Sequence, residues 1–174
     1  MPKSSRTQID DDEKKILRQL KMNSKESIDN IAKKCGFSRQ KVWRIIKRLE
    51  KNKTIWGYSA IVDNEKLGHK RFIMLVKRSN KPLGNTVNKI IDLTVHSKSK
   101  EIGVDICCSN YLHGYYDWMF VFTTVDIKNA KKFSEMVIKE YQPVISEIQL
   151  LEDIFSVVKC NVVNPDIQKI KEFI

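Results

Sequence analysis

Apolar residues recur at helical spacing three times before residue 50. Ile9, Ile16, Leu17 and Leu20 form one stripe; Ile28, Ile31, Ala32 and Cys35 fall at i, i+3, i+4 and i+7; Val42, Ile45, Ile46 and Leu49 repeat that spacing. A period near 3.6 puts each set on one helix face, so three helices are predicted to share a core. The first is expected to start near the acidic residues 10–13, which suit the positive end of a helix dipole. Ser27 and Ser38 stand where N-caps belong, ready to accept from the unpaired N–H groups of a first turn. Gly36 closes the second helix, because a left-handed terminal residue is most easily formed without a Cβ. Only Gly36 and Phe37 separate Cys35 from Ser38, so the second and third helices must cross at a tight turn. Over residues 54–62 the pattern becomes an alternation around Gly57, which predicts a wing or short strand pair.

The rhythm changes again after His69. Residues 70–77 read as a strand, and residues 83–98 carry Val87, Ile90, Ile91 and Val95 at helical spacing. Residues 103–111 and 118–125 read as two further strands. Asp126 is placed to cap a helix that turns Ile127, Ala130, Phe133, Val137 and Ile138 inward, and residues 145–162 hold one long strand or two short ones. The order β-α-β-β-α-β is the ferredoxin-like arrangement, with both helices on one face of a sheet. The predicted class is therefore α+β: a tail and winged helix-turn-helix domain over residues 1–62, a linker over 63–69 and a ferredoxin-like domain over 70–174. The sheet face away from the helices needs a cover or a partner, and self-association is the simplest one.

Charge says which partner the first domain suits. The 174 residues carry a net charge of +11. Residues 1–62 hold 16 Lys and Arg against 7 Asp and Glu, whereas residues 63–174 hold 16 against 14. Nearly all the excess lies with the helix-turn-helix, as the footprint of a polyanion should. On the third helix the core stripe leaves Gln40, Arg44, Lys47 and Lys51 opposite, with Arg39 and Trp43 on the flank. Recognition helices touch base edges mainly through their N-terminal residues. Arg39, Gln40, Trp43 and Arg44 are thus assigned to the groove, and Lys47, Arg48 and Lys51 to phosphates. Arg can pair bidentately with guanine and Gln with adenine, which lets these side chains distinguish sequences. The bland alternative is a solvated basic helix face, which the paired caps and the Gly36 turn argue against.

Other partners and chemistries find less support. No run approaches the roughly 20 apolar residues of a spanning helix, and the start, MPKSSRTQ, lacks an apolar signal core, so a cytoplasmic protein with a short basic tail is expected. Cys35, Cys107, Cys108 and Cys160 form no CxxC pair, and His69, His96 and His113 are scattered; neither a metal nor a cofactor is expected. No cluster of acid, base and nucleophile appears, so an enzyme is not expected. An RNA-binding module ranks low, because the second domain is nearly neutral and lacks the aromatic-strand motif of RNA-binding sheets.

The chain resembles the Lrp/AsnC family, the leucine-responsive "feast/famine" transcription regulators, over nearly its whole length. Ile9-Asp10 with Ile16-Leu17 is similar to the family's opening helix, and Phe37-Ser38, Val42, Arg44 and Leu49 to its recognition helix. Ile55, Gly57-Tyr58, Ala60, Asp63 and Leu67-Gly68 resemble its run into the linker, and Gly114-Tyr115-Tyr116-Asp117 its G-x-Y-D turn. The resemblance implies a DNA-binding homodimer or higher homo-oligomer, assembled through the C-terminal domains. It also implies an amino-acid effector site near that turn, carrying Gly114, Tyr116 and Asp117, with His113 beside them. Physically, Gly114 can bring backbone N–H groups to a carboxylate and Asp117 can pair with an ammonium group; equally, the two can simply turn a hairpin. The chain departs from the family at His113, where a small hydroxyl residue is usual, and at Lys53, where Gly is common. Sirohaem decarboxylases resemble the same two-domain layout, and in that alternative His96 or His113 are the candidate functional residues.

Overall fold

The computed structural model describes residues 6–174, so most of the expected basic tail lies outside the described residues. The chain forms two compact units: one gathers residues up to Ile61 with Val157–Ile167, the other Val62–Ser156 with Gln168–Ile174.

In the first unit, α1 (Arg6–Met22), α2 (Ile28–Cys35) and α3 (Arg39–Lys51) bury Ile16, Ile31, Ala32, Val42, Ile45 and Leu49 together. Both expected caps form. Ser27 Oγ accepts from the Asn30 N–H at 3.2 Å and Ser38 Oγ from the Lys41 N–H at 3.3 Å. Gly36 sits at φ 69°, and the following Phe37 N–H reaches back to the Ala32 carbonyl at 2.9 Å, which closes α2 and starts the turn.

Two expectations for this unit need correction. First, α1 begins at Arg6, so the acidic residues 10–13 lie inside the helix and not at its positive end. Two of them dock the helix. Asp12 occupies the core-facing stripe between Ile9 and Ile16 and is buried, held by Lys41 Nζ at 2.6 Å and Gln8 Nε2 at 3.1 Å. The next residue, Glu13, meets Arg48 at 2.7 Å. Second, residues 54–62 form no strand pair; past Ile55, whose N–H donates to the Leu49 carbonyl at 3.0 Å, the chain has no regular secondary structure up to Val62. Alternation makes a strand only where a second strand lies alongside, and the two-stranded sheet of this unit pairs β5 (Val158–Lys159) with β6 (Val162–Val163) instead.

The second unit is built on an antiparallel sheet in the order β2-β3-β1-β4, with β1 at Lys70–Arg78, β2 at Asp105–Tyr111, β3 at Trp118–Thr124 and β4 at Ile145–Asp153. This is the ferredoxin-like order. Phe72, Met74 and Val76 of β1 and Phe120 and Phe122 of β3 alternate onto the helical side, where they meet Phe133, Val137 and Tyr141 of α6 (Ile127–Tyr141). Asp126 caps α6 as expected, accepting from the Asn129 N–H at 2.7 Å. The single helix expected over residues 83–98 is two, α4 (Thr86–Ile91) and α5 (Thr94–Glu101), broken where Leu93 takes φ 54°. The break re-aims the stripe, so Val95 is buried while Val87 and Ile91 face water. Ile127, at the very start of α6, is exposed too.

The alternate strand positions point to the opposite sheet face. There Ile73 lies beside Val121 and Leu151, and Leu75 beside Met119, making an apolar patch away from the α-helices. Among the described residues no helix is long and apolar enough to cross a membrane.

Candidate nucleic-acid interface

The buried stripe of α3, through Val42, Ile45 and Leu49, fixes which side of the helix faces water. Arg39, Gln40, Trp43, Arg44, Lys47, Arg48 and Lys51 are all exposed, so the whole predicted set shares the solvent-facing surface. They differ in what holds them. Arg39 pairs with Asp29 at 3.0 Å, Lys47 with Glu50 at 2.9 Å and Arg48 with Glu13 at 2.7 Å. Among the described residues, Arg44 and Lys51 form no ion pair and Gln40 no side-chain hydrogen bond.

These pairs shape the electrostatics of the face. Glu50 accepts from Lys47 and from the Tyr58 hydroxyl, at 3.2 Å, and Lys47 holds its carboxyl below the usual range. Exposed pairs of this kind are worth about 0–1 kcal/mol each, so a phosphate can replace the carboxylate at small cost. Lys41, which the sequence left out, points to Asp12 and lies over the Phe37 ring at 4.0 Å, so it braces α3 against α1. Ile28, Arg39, Gln40, Trp43 and Arg44 border a depression of about 440 Å3 at the N-terminal end of α3.

The turn between β2 and β3 brings the four predicted effector residues close in the chain but gives them different tasks. The Asp117 carboxylate accepts from the Arg78 N–H at 2.8 Å, and the Asp117 N–H donates to the Val76 carbonyl at 3.0 Å, tying the turn to the end of β1. The Tyr116 hydroxyl donates to Gln149 Oε1 at 2.6 Å, and Tyr115 packs edge-on against Tyr116 under Lys77. His113 and Gly114 are exposed. Arg78, which the sequence did not single out, donates to the Tyr111 hydroxyl at 2.8 Å, while its Nε is buried with no partner among the described residues. A signal for Arg78 was absent because its role follows from strand register alone. Among the described residues no group of three or more His, Cys, Asp or Glu is gathered as a metal site would need.

Comparisons with known proteins bear on both units. Residues 9–55 match the family described as winged helix-turn-helix DNA-binding. Over 60 residues the chain is 38% identical to an uncharacterised HTH-type transcriptional regulator of Pyrococcus abyssi, a stretch covering 34% of this chain and 39% of that protein. Its fold is similar to that of an AsnC family transcriptional regulator from Agrobacterium tumefaciens, with a TM-score of 0.65 and 20% identity over 89% of this chain and 96% of that one. It is similar too to a transcriptional regulator from Neisseria meningitidis solved with L-Met, with a TM-score of 0.64 and 14% identity over 85% and 91% of the two chains. At these identities the likeness is one of fold.

Proposed function

Starting from a winged helix-turn-helix DNA-binding domain at residues 9–55 and the two-domain fold of AsnC-type regulators, we propose that this protein is a sequence-specific regulator of transcription. The observation that carries the reading is the exposed face of α3. Two turns of Arg39, Gln40, Trp43 and Arg44 are presented by a helix whose other side is locked into a core. Arg44 and Gln40 are free to meet base edges, and Lys51, with Lys47 and Arg48 once their carboxylates are displaced, meets phosphates. A sirohaem-decarboxylase-like activity is not favoured, since the basic face of α3 has no part in it.

The working unit in this reading is a cytoplasmic homo-oligomer. The patch of Ile73, Leu75, Met119 and Leu151, beside the already buried Val121, is apolar on a sheet face that the α-helices do not use, and a second copy would cover it. Two recognition helices then enter successive major grooves about 34 Å apart on a partly palindromic site. An amino acid is the proposed effector, at the turn of His113, Gly114, Tyr116 and Asp117. The regulator solved with L-Met supports that class of ligand. One acceptor site of Asp117 Oδ2 is taken by the Arg78 N–H, which leaves the other acceptor sites of the carboxylate for an ammonium group.

Selection of bound duplexes from random DNA, run with and without a panel of amino acids, tests both parts. The reading predicts enrichment of one partly symmetric sequence and a change in its occupancy with at least one amino acid. Recovery of unenriched DNA contradicts the function, and enrichment indifferent to every amino acid contradicts the effector.

A further inference from the structure

We propose that Trp43 reads the 5-methyl group of thymine in the major groove, giving the protein a thymine requirement at a defined position of each half-site. The inference rests on the DNA-binding reading above and adds to it the identity of one base. Trp43 is 53% exposed, on the same side of α3 as Gln40 and Arg44. About half of this residue's surface stands in water among cationic side chains, and covering it with an apolar partner would be favourable. With Ile28 of α2 it makes the apolar part of the 440 Å3 depression, and Arg39, Gln40 and Arg44 supply donors around it.

The occupant follows from what the major groove displays. Adenine, guanine and cytosine present hydrogen-bonding atoms there, and thymine adds the one apolar group, its C5-methyl. Against the apolar walls of the indole and Ile28 a polar base edge is desolvated and must find its partner on the rim, whereas a methyl gains contact with the walls themselves. Arg39 and Arg44 on the rim supply the positive charge that draws in a polyanion, so the same DNA approach that brings Arg44 to the groove brings a base edge to Trp43.

The test uses the full-length protein and the duplex obtained by selection. Each thymine is replaced singly by deoxyuridine, which deletes the methyl and leaves every hydrogen-bonding atom in place. Burial of one such group corresponds to about a fourfold change in Kd. At one thymine per half-site the native protein should bind the deoxyuridine duplex about fourfold more weakly. Trp43→Ala should bind both duplexes equally, and Trp43→Phe should keep part of the difference. Because Trp43 lies outside the core, both variants should melt like the native protein, and Trp43→Phe serves as the readout if Trp43→Ala does not fold. A selected site without thymine in the contacted region, no loss at any deoxyuridine position, or an equal loss in Trp43→Ala would each overturn the inference while leaving sequence-specific binding intact. Absence of any preference over random duplex would overturn the functional reading itself, and this inference with it.

Discussion

Lys53 follows the C-terminal cap of α3 at Asn52 with φ 63°, a left-handed backbone that favours glycine. The strain of a Cβ there is about 1–2 kcal/mol, partly offset because glycine loses more freedom on folding. Lys53→Gly is expected to stabilise the first unit by about 0.5 kcal/mol in denaturant unfolding; a loss of stability would show that the lysine side chain outweighs its backbone strain. Nothing in a lysine announces such a conformation. Gly36, at φ 69°, was legible because its residue type is the signal, whereas position 53 stood out only through the glycine common there in the resembled family. Trp43 marks a similar boundary: its place on the outer face follows from helical spacing, but the depression beside it depends on Ile28, a residue of another helix that spacing assigns to the core.

Between elements, the docking of α1 on α3 rests on acids that a search for apolar stripes passes over. Asp12 lies three residues after Ile9 and four before Ile16, an apolar slot by position, and a charge can occupy it only because Lys41 of α3 reaches it at 2.6 Å. The Lys41 ammonium holds the Asp12 carboxyl below its ordinary value, against the opposing effect of burial. A carboxyl whose pKa falls on folding adds stability that is present above its unfolded value, near 4, and is lost as the pH drops through the lower folded value. Asp12→Asn should therefore lower stability by about 1–2 kcal/mol at neutral pH and flatten its acid dependence below about pH 4. Unfolding midpoints measured from pH 3 to 7 check this, and an unchanged acid slope would contradict it. The break at Leu93 escaped the sequence for a different reason. Apolar spacing persists on both sides of it, while the left-handed turn that separates α4 from α5 is set by the packing of Val95 and Ser99 into the sheet core.

Over the whole molecule, the two units divide charge and apolar surface between them. The first carries nearly all the excess positive charge, and the second carries an apolar sheet face. Both were legible, because charge can be counted along the chain and strand alternation fixes which residues share a face. The tasks at the β2–β3 turn were not, since Asp117 reaches Arg78 through a strand pairing that no local spacing encodes. Leu75→Asp, a change on the proposed assembly face, is expected to shift the protein toward monomers in light scattering with its far-ultraviolet circular dichroism retained; an unchanged mass would move the assembly surface elsewhere. The central claim is that the outer face of α3 meets DNA, and the salt dependence of binding tests it most directly. With the selected duplex and with random duplex, Kd should rise steeply from 50 to 200 mM salt, the association constant falling with a log-log slope near −0.9 for each phosphate neutralised. Arg44→Ala should lose affinity and discrimination together, while Lys51→Ala should weaken both duplexes alike and reduce the slope by about 1. A flat salt response, or equal losses on both duplexes from both substitutions, would contradict the account.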